Sequence, residues 1–156
     1  TPPDPNAAAQ TFLAVHNRFR ADHCAPPLRW SPAIAAGAQA WAERCVCGHD
    51  SADLNRRGEG ENVACGHATA EAAVTGWYSE ISAYNFNNPG FQPGTGHFTA
   101  VVWRGSSEIG CGFTTRCANL APGQVHWVCR YKAPGNFTGE FPRNVLPKRP
   151  ACNAAR

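Results

Sequence analysis

The chain has 156 residues, with 14 Lys and Arg against 11 Asp and Glu, a net charge of +3. That length suits one domain and lets a chain bury about 70% of its unfolded surface. Basic residues cluster at Arg143 and Lys148-Arg149, too few for a nucleic-acid stripe, and no apolar run approaches the length needed to cross a bilayer.

The start, Thr1-Pro2-Pro3-Asp4-Pro5-Asn6, reads as a mature end or a short linker, not a signal peptide. Residues 7–22 follow as a helix, with Phe12, Val15 and Phe19 recurring at spacings of three and four. Pro26-Pro27 stops it. Ser31-Pro32 starts a second helix, with Ser31 as N-cap and Pro32 in the first position. Ile34, Ala38, Trp41 and Cys45 form its inner face. Residues 50–60 read as a loop and 61–65 as a short strand. Thr69 caps a third helix over 70–82, and Glu71 suits its first turn. Asn, Pro and Gly then fill a flexible loop over 85–96. Periodicity leaves 98–103 open between strand and helix. Strands are expected near 108–115 and 124–132, with Pro122-Gly123 marking the turn region between them. The tail from Pro134 reads as extended.

Eight cysteines in a chain this short argue for a disulfide framework and an oxidising compartment. Cys45-Val46-Cys47-Gly48-His49 offers sulfur and nitrogen ligands, but the chain lacks the second C-x-x-C-type unit that a structural zinc site normally pairs with it.

Four segments carry chemistry. Gly60-Glu61-Asn62-Val63 puts a carboxylate in an apolar run. Trp77-Tyr78-Ser79-Glu80 places Glu80 on the helix face shared by Ala73, Trp77, Ile81 and Tyr84, where an unpaired carboxylate is costly. His49 follows the second helix. His97 opens the apolar run Phe98-Thr99-Ala100-Val101-Val102-Trp103. Two carboxylates and two imidazoles beside apolar segments would satisfy one another in a buried site. His16, His23 and His126 read as structural or exposed. No H-E-x-x-H pair or G-x-S-x-G elbow is present, and neither Ser51 nor Ser79 is marked as an activated nucleophile.

Gly96-His97-Phe98-Thr99-Ala100-Val101-Val102-Trp103 and Cys129-Arg130-Tyr131-Lys132-Ala133-Pro134-Gly135-Asn136-Phe137 resemble the two signatures of the CAP superfamily. That superfamily contains cysteine-rich secretory proteins, antigen 5 and group-1 pathogenesis-related proteins. Gly60-Glu61-Asn62-Val63 and Trp77-Tyr78-Ser79-Glu80 match two further blocks. Trp127, before the second signature, departs slightly from the usual residue. Tyr84-Asn85-Phe86-Asn87-Asn88-Pro89-Gly90-Phe91 is most similar to the yeast pathogen-related and Golgi-associated plant pathogenesis-related branch.

The resemblance implies an α+β fold over 1–156, with a core over about 8–146 and an extended C-terminal tail. The expected architecture is a three-layer α-β-α sandwich around a small, mostly antiparallel sheet, stapled by disulfides. It also implies the pairs Cys117–Cys129 and Cys45–Cys111, with Cys47–Cys65 and Cys24–Cys152 completing the set. Its central tetrad falls on His49, Glu61, Glu80 and His97, with His67 a competing choice for the first position. His49 and His97 would hold a divalent metal, zinc or magnesium, and the carboxylates would orient them. No organic cofactor is expected. The aromatic loop of Tyr84, Phe86, Pro89, Phe91 and Pro93 implies a sterol or related small lipid, with a groove between helices for a fatty acid.

The resulting expectation is a secreted, extracellular, monomeric lipid-binding protein without nucleic-acid partners. One rival is a metal-assisted hydrolase with Glu61 or Glu80 as base. The other is an effector-like or allergen-like module acting on a host protein or a membrane surface. Asn136-Phe137-Thr138 is a glycosylation sequon inside the second signature, where Asn136 is expected anyway.

Overall fold

The structure, a computed structural model, describes residues 2–154. Helix α1 spans Pro5–Asp22; Asp4 caps it by accepting from Ala7 N at 2.9 Å. It starts before the expected residue 7 because the Asp4-Pro5 pair supplies both the cap and a first-position proline. Strand β1 (Arg29–Trp30) precedes α2 (Pro32–Ala42), which Ser31 caps through Ile34 N. Strand β2 runs from Gly60 to Cys65, and α4 from Ala70 to Tyr78 under a Thr69 cap. The expected 70–82 helix tightens at Ser79 into a 3₁₀ turn ending at Ala83. Helix α5 occupies Gly96–Val102, and strands β3 (Glu108–Thr114) and β4 (His126–Lys132) form a hairpin.

Two stretches differ from expectation. Residues 50–60 contain a helix, α3, at Ser51–Arg57. Asp50 caps it, and Gly58 ends it in the left-handed conformation at φ 67°. Leu54 is the one buried residue in this helix, so it carries almost no apolar periodicity. The tail is not simply extended: it forms short helices α6 (Phe141–Asn144) and α7 (Pro150–Ala154). Phe141 anchors the first in an edge-to-face contact with Trp103.

The sheet order is β1-β3-β4-β2, with β1 parallel to β3 and the other pairs antiparallel. Alternation along β4 separates the two faces. Trp127, Cys129 and Tyr131 join the large core beneath α1, α4 and α5. Val128 packs with Ala38, Trp41 and Ala42 of α2 on the opposite face. Helix α2 lies directly on β3: a Cβ on Gly110 would stand 2.1 Å from Ala35 N, and one on Gly112 2.4 Å from Gln39 Cα. Gln39 fixes this seat through paired bonds, accepting from Phe113 N and donating to Phe113 O.

The disulfides are Cys24–Cys152, Cys45–Cys117, Cys47–Cys65 and Cys111–Cys129. The first and third are as expected; Cys117–Cys129 and Cys45–Cys111 are corrected. Hairpin register sets Cys111 directly opposite Cys129, with Cα atoms 4.1 Å apart. Cys117 lies beyond the end of β3 at Thr114, out of reach of Cys129 in mid-strand, and meets Cys45 past the end of α2.

A buried polar chain crosses the large core. His16 donates from Nδ1 to Phe12 O and accepts at Nε2 from Tyr131 Oη, which accepts in turn from Asn62 Nδ2. His23 donates to Leu146 O and accepts from Tyr78 Oη.

Two outcomes are expected. Gly110→Ala should lower unfolding stability by about 3 kcal/mol or more, at the upper end of overpacking effects, whereas Gly48→Ala, with its nearest contact at 3.9 Å, should stay within about 0.5 kcal/mol. Equal midpoints in urea would refute the close-approach argument. Burial pushes the His16 pKa down from 6.5 to about 3, so the unfolded chain takes up a proton that the folded chain refuses. The stability this contributes is complete above pH 6.5 and is lost as pH falls from there toward 3. His23 and His126 shift the same way, also through burial. Urea midpoints should therefore drop between pH 7.5 and 4.5, with a shallower slope in His16→Gln; parallel slopes would argue against it.

Candidate functional site

The four tetrad residues form two imidazole–carboxylate pairs beside β2, the edge strand. His49 Nδ1 donates to Glu61 Oε1 at 2.7 Å, and His97 Nδ1 donates to Glu80 Oε2 at 2.8 Å. Neither Nε2 has a hydrogen-bond partner among the described residues. Each ring is therefore held in one tautomer with its second nitrogen free as an acceptor or ligand. The ring side chains remain 48% and 40% exposed, enough for a solute to reach them.

Each carboxylate is fixed differently. Glu61 is fully buried and accepts at Oε2 from Arg130 Nε at 2.8 Å. Arg130, 1% exposed, also donates from a terminal nitrogen to Asp53 of α3 at 2.9 Å. Arg57 and Arg130 together hold the Asp53 carboxyl down at about 2. Glu80 instead accepts at Oε1 from the backbone N–H groups of His97 and Phe98, the open first turn of α5. Trp77 stacks on the His97 ring, with centroids 6.3 Å apart. Asn62 joins the two halves, since its Nδ2 donates to His97 O while its neighbour Glu61 holds His49.

Sequence reasoning missed Arg130 and Asp53. The signal available was the C-R-Y order within the second signature, which puts a cation at the centre of a strand, where it must be paired. Among the remaining histidines, His16, His23 and His126 are buried. The His67 ring lies against Gly76 of α4, apart from both pairs.

The aromatic loop divides. Tyr84 is buried and Phe86 half-buried, both edge-on to Phe98 or tilted against it. Phe91 is 66% exposed, and Pro89 and Pro93 lie at the surface. Gln92 closes the loop by accepting from Asn85 N and donating to Asn85 O and Asn88 O. The Phe91 ring rests 3.6 Å from the position a Gly96 Cβ would take, one residue from His97. Asn136 braces the same turn: it accepts from Thr99 Oγ1 and donates to Gly96 O. A separate groove of about 510 Å³ opens between the first turns of α1 and α4, lined by Ala8, Thr11, Thr69, Glu71 and Trp127 among others.

Residues 13–131 match the Cysteine-rich secretory protein family, CAP. The chain belongs to the CAP family. Protein PRY2 of Saccharomyces cerevisiae is 43% identical over 140 residues, 88% of this chain and 40% of that protein. Golgi-associated plant pathogenesis-related protein 1 of Homo sapiens is 37% identical over 144 residues, 88% of this chain and 91% of that protein. The chain spans less than half the length of its first two fungal relatives. A solved CAP-fold structure, BmVAL-1, superposes with a TM-score of 0.77 at 25% identity, covering 94% of this chain and 85% of that one. NaASP2 superposes at 0.76 with 22% identity, covering 99% and 94%, and shares the fold. No helix among the described residues is long and apolar enough to cross a membrane.

Replacing Arg130 with Met leaves the Glu61 side chain buried without its cation, while Asp53, 20% exposed, keeps Arg57; the loss should cost about 3–5 kcal/mol. Arg130→Lys, a point charge unable to span both carboxylates, should fall between Met and wild type. Urea unfolding with disulfides intact measures this, and a loss below about 1 kcal/mol in Arg130→Met would show that the pair carries little.

Proposed function

We propose that this CAP domain acts outside the cell as a carrier of sterols or related small lipids, captured at the loop around Phe91, beside a two-histidine divalent-metal site. The observation that carries the lipid reading is the exposure of Phe91. A large apolar ring at 66% exposure, on a loop closed by its own hydrogen bonds and flanked by two prolines, is a surface prepared for an apolar ligand. Burying that ring would contribute roughly 1.5–3 kcal/mol. Phe86 and Tyr84 already pack on Phe98, so they support the loop more than they add new burial. The groove between α1 and α4 is the place an acyl chain would lie. Similarity to fungal pathogenesis-related proteins, among them one named Secreted protein RBT4, supports an extracellular location, as do the disulfides.

The chemistry of these donors suits a divalent ion. Two imidazoles present Nε2 while their Nδ1 atoms are oriented by carboxylates, the outer-shell arrangement of histidine metal sites. The NaASP2 structure is described as being with Zn2+. His49 and His97 would be the ligands, with Glu61 and Glu80 behind them. A bound ion would supply Lewis acidity at its open positions. Both carboxylates already hold protein donors on each oxygen, which supports an orienting role over that of a general base.

Equilibrium binding of a labelled sterol, with a fatty acid as competitor, separates the readings. Saturable binding should be lost in Phe91→Ala and kept in Glu80→Gln. Turnover of an ester or peptide that disappears in Glu80→Gln, without saturable sterol binding, would favour the hydrolase. Calorimetry with Zn2+ should show an isotherm that His49→Ala/His97→Ala abolishes; identical isotherms would remove the metal reading.

A further inference from the structure

One face of the β2–β4 ladder carries three cross-strand pairs: Glu61 with Arg130, Val63 with Val128, and Cys65 with His126. The last has no role in the site described above. His126 is 0% exposed. Among the described residues its two ring nitrogens face sulfur: Nε2 lies 4.0 Å from Cys65 Sγ and Nδ1 lies 3.9 Å from Cys117 Sγ. Cys65 is bridged to Cys47 and Cys117 to Cys45, so the imidazole sits between two disulfides that both begin in Cys45-Val46-Cys47. A disulfide sulfur is a poor hydrogen-bond acceptor and donates nothing. The ring nitrogen that carries no proton is therefore an idle, buried lone pair beside sulfur.

We propose that the Cys47–Cys65 disulfide is the closed, oxidised form of a latent zinc site, opened by a dithiol reductant and formed by Cys47, Cys65 and His126. One sulfur of Cys47, one of Cys65 and a nitrogen of His126 already lie within 4.8 Å of one another, and both cysteines are exposed. Zinc bound to thiolate at about 2.3 Å and imidazole at about 2.0 Å needs ligand atoms roughly 3.5–3.8 Å apart in a tetrahedron. The two sulfurs must separate from each other and close on the imidazole, whose Nε2 stands 4.0 Å from Cys65 Sγ; Cys47, exposed in the connection between α2 and α3, would make most of the movement. Cys117 is buried, so the Cys45–Cys117 bridge holds the connection in place while the exposed bridge opens. Water or an added thiolate completes the fourth position.

The step balances. A dithiol R(SH)2 gives two electrons and two protons to Cys47–S–S–Cys65, leaving two cysteine thiols and the cyclic disulfide of R. Zinc then displaces the two thiol protons as it binds. Two soft thiolates and one imidazole select zinc over magnesium. This chemistry is distinct from that of the two-histidine pair and does not depend on it.

The test uses the full chain carrying His49→Ala/His97→Ala, so that the two-histidine site contributes nothing. The protein is reduced anaerobically with a limiting dithiol until two thiols titrate, the dithiol is removed, and Co2+ is added as the probe. The expected result is one Co2+ per chain, with a thiolate-to-cobalt charge-transfer band and the visible bands of a tetrahedral centre. Zn2+ should displace the probe and protect Cys47 and Cys65 from alkylation. Cys47→Ser/Cys65→Ser should give no band, and His126→Gln should weaken binding at least about tenfold, as even outer-shell changes do. Two free thiols with no band would overturn the proposal, as would a band of equal strength in His126→Gln or in the unreduced protein. Where His126→Gln fails to fold, mass mapping of protected cysteines in the parent decides: protection of any pair other than Cys47 and Cys65 overturns it.

Discussion

The buried guanidinium of Arg130 is the interaction on which the arrangement of the site depends. A cation at 1% exposure in mid-strand must find anions in place, and it finds two from different parts of the chain. Glu61 comes across from β2, and Asp53 comes from α3. The first contact fixes the carboxylate that orients His49. The second ties down α3, a helix with one buried side chain that has little apolar surface of its own to hold it. The charge network thus does for this corner what hydrophobic burial does elsewhere.

The two imidazole–carboxylate pairs look alike in composition and differ in support. One rests on a side-chain cation and the other on the peptide N–H groups at the start of α5. The second support is backbone and is present whatever side chains surround it, whereas the first depends on a single arginine. Asn62 keeps the halves in step because it bonds the His97 carbonyl from the strand position beside Glu61. The aromatic loop is attached to the same corner through Phe91 and Gly96. The loop and the His97 pair therefore meet at Gly96.

Much of this was legible from residue order. Ser31-Pro32 and Thr69 announced the starts of α2 and α4 because a side-chain cap is local chemistry. The His97 and Glu80 segments stood out because charged groups interrupt apolar runs. Helix α3 did not, although Asp50 and Gly58 bracket it, because Leu54 is its one buried residue and the contact that ties it to the sheet comes from Arg130, 77 positions away. The disulfide pairs Cys45–Cys117 and Cys111–Cys129 depend on hairpin register, which family resemblance gave wrongly and strand pairing fixes. Arg130 was visible as a residue, but its two partners lie 69 and 77 positions away in sequence, a distance no local pattern spans.

The disulfide connectivity has a consequence for survival among proteases. The loop over 85–94 is largely exposed, rich in Asn, Pro and Gly, and offers an obvious place for a chain to be cut. Cys24–Cys152 and Cys45–Cys117 both connect residues before that loop to residues after it. A nicked molecule therefore remains a single covalent body, and the two ends of the break stay moored to the same sheet. On a gel run without reductant it would travel as an intact chain and separate into two pieces only once thiol is added.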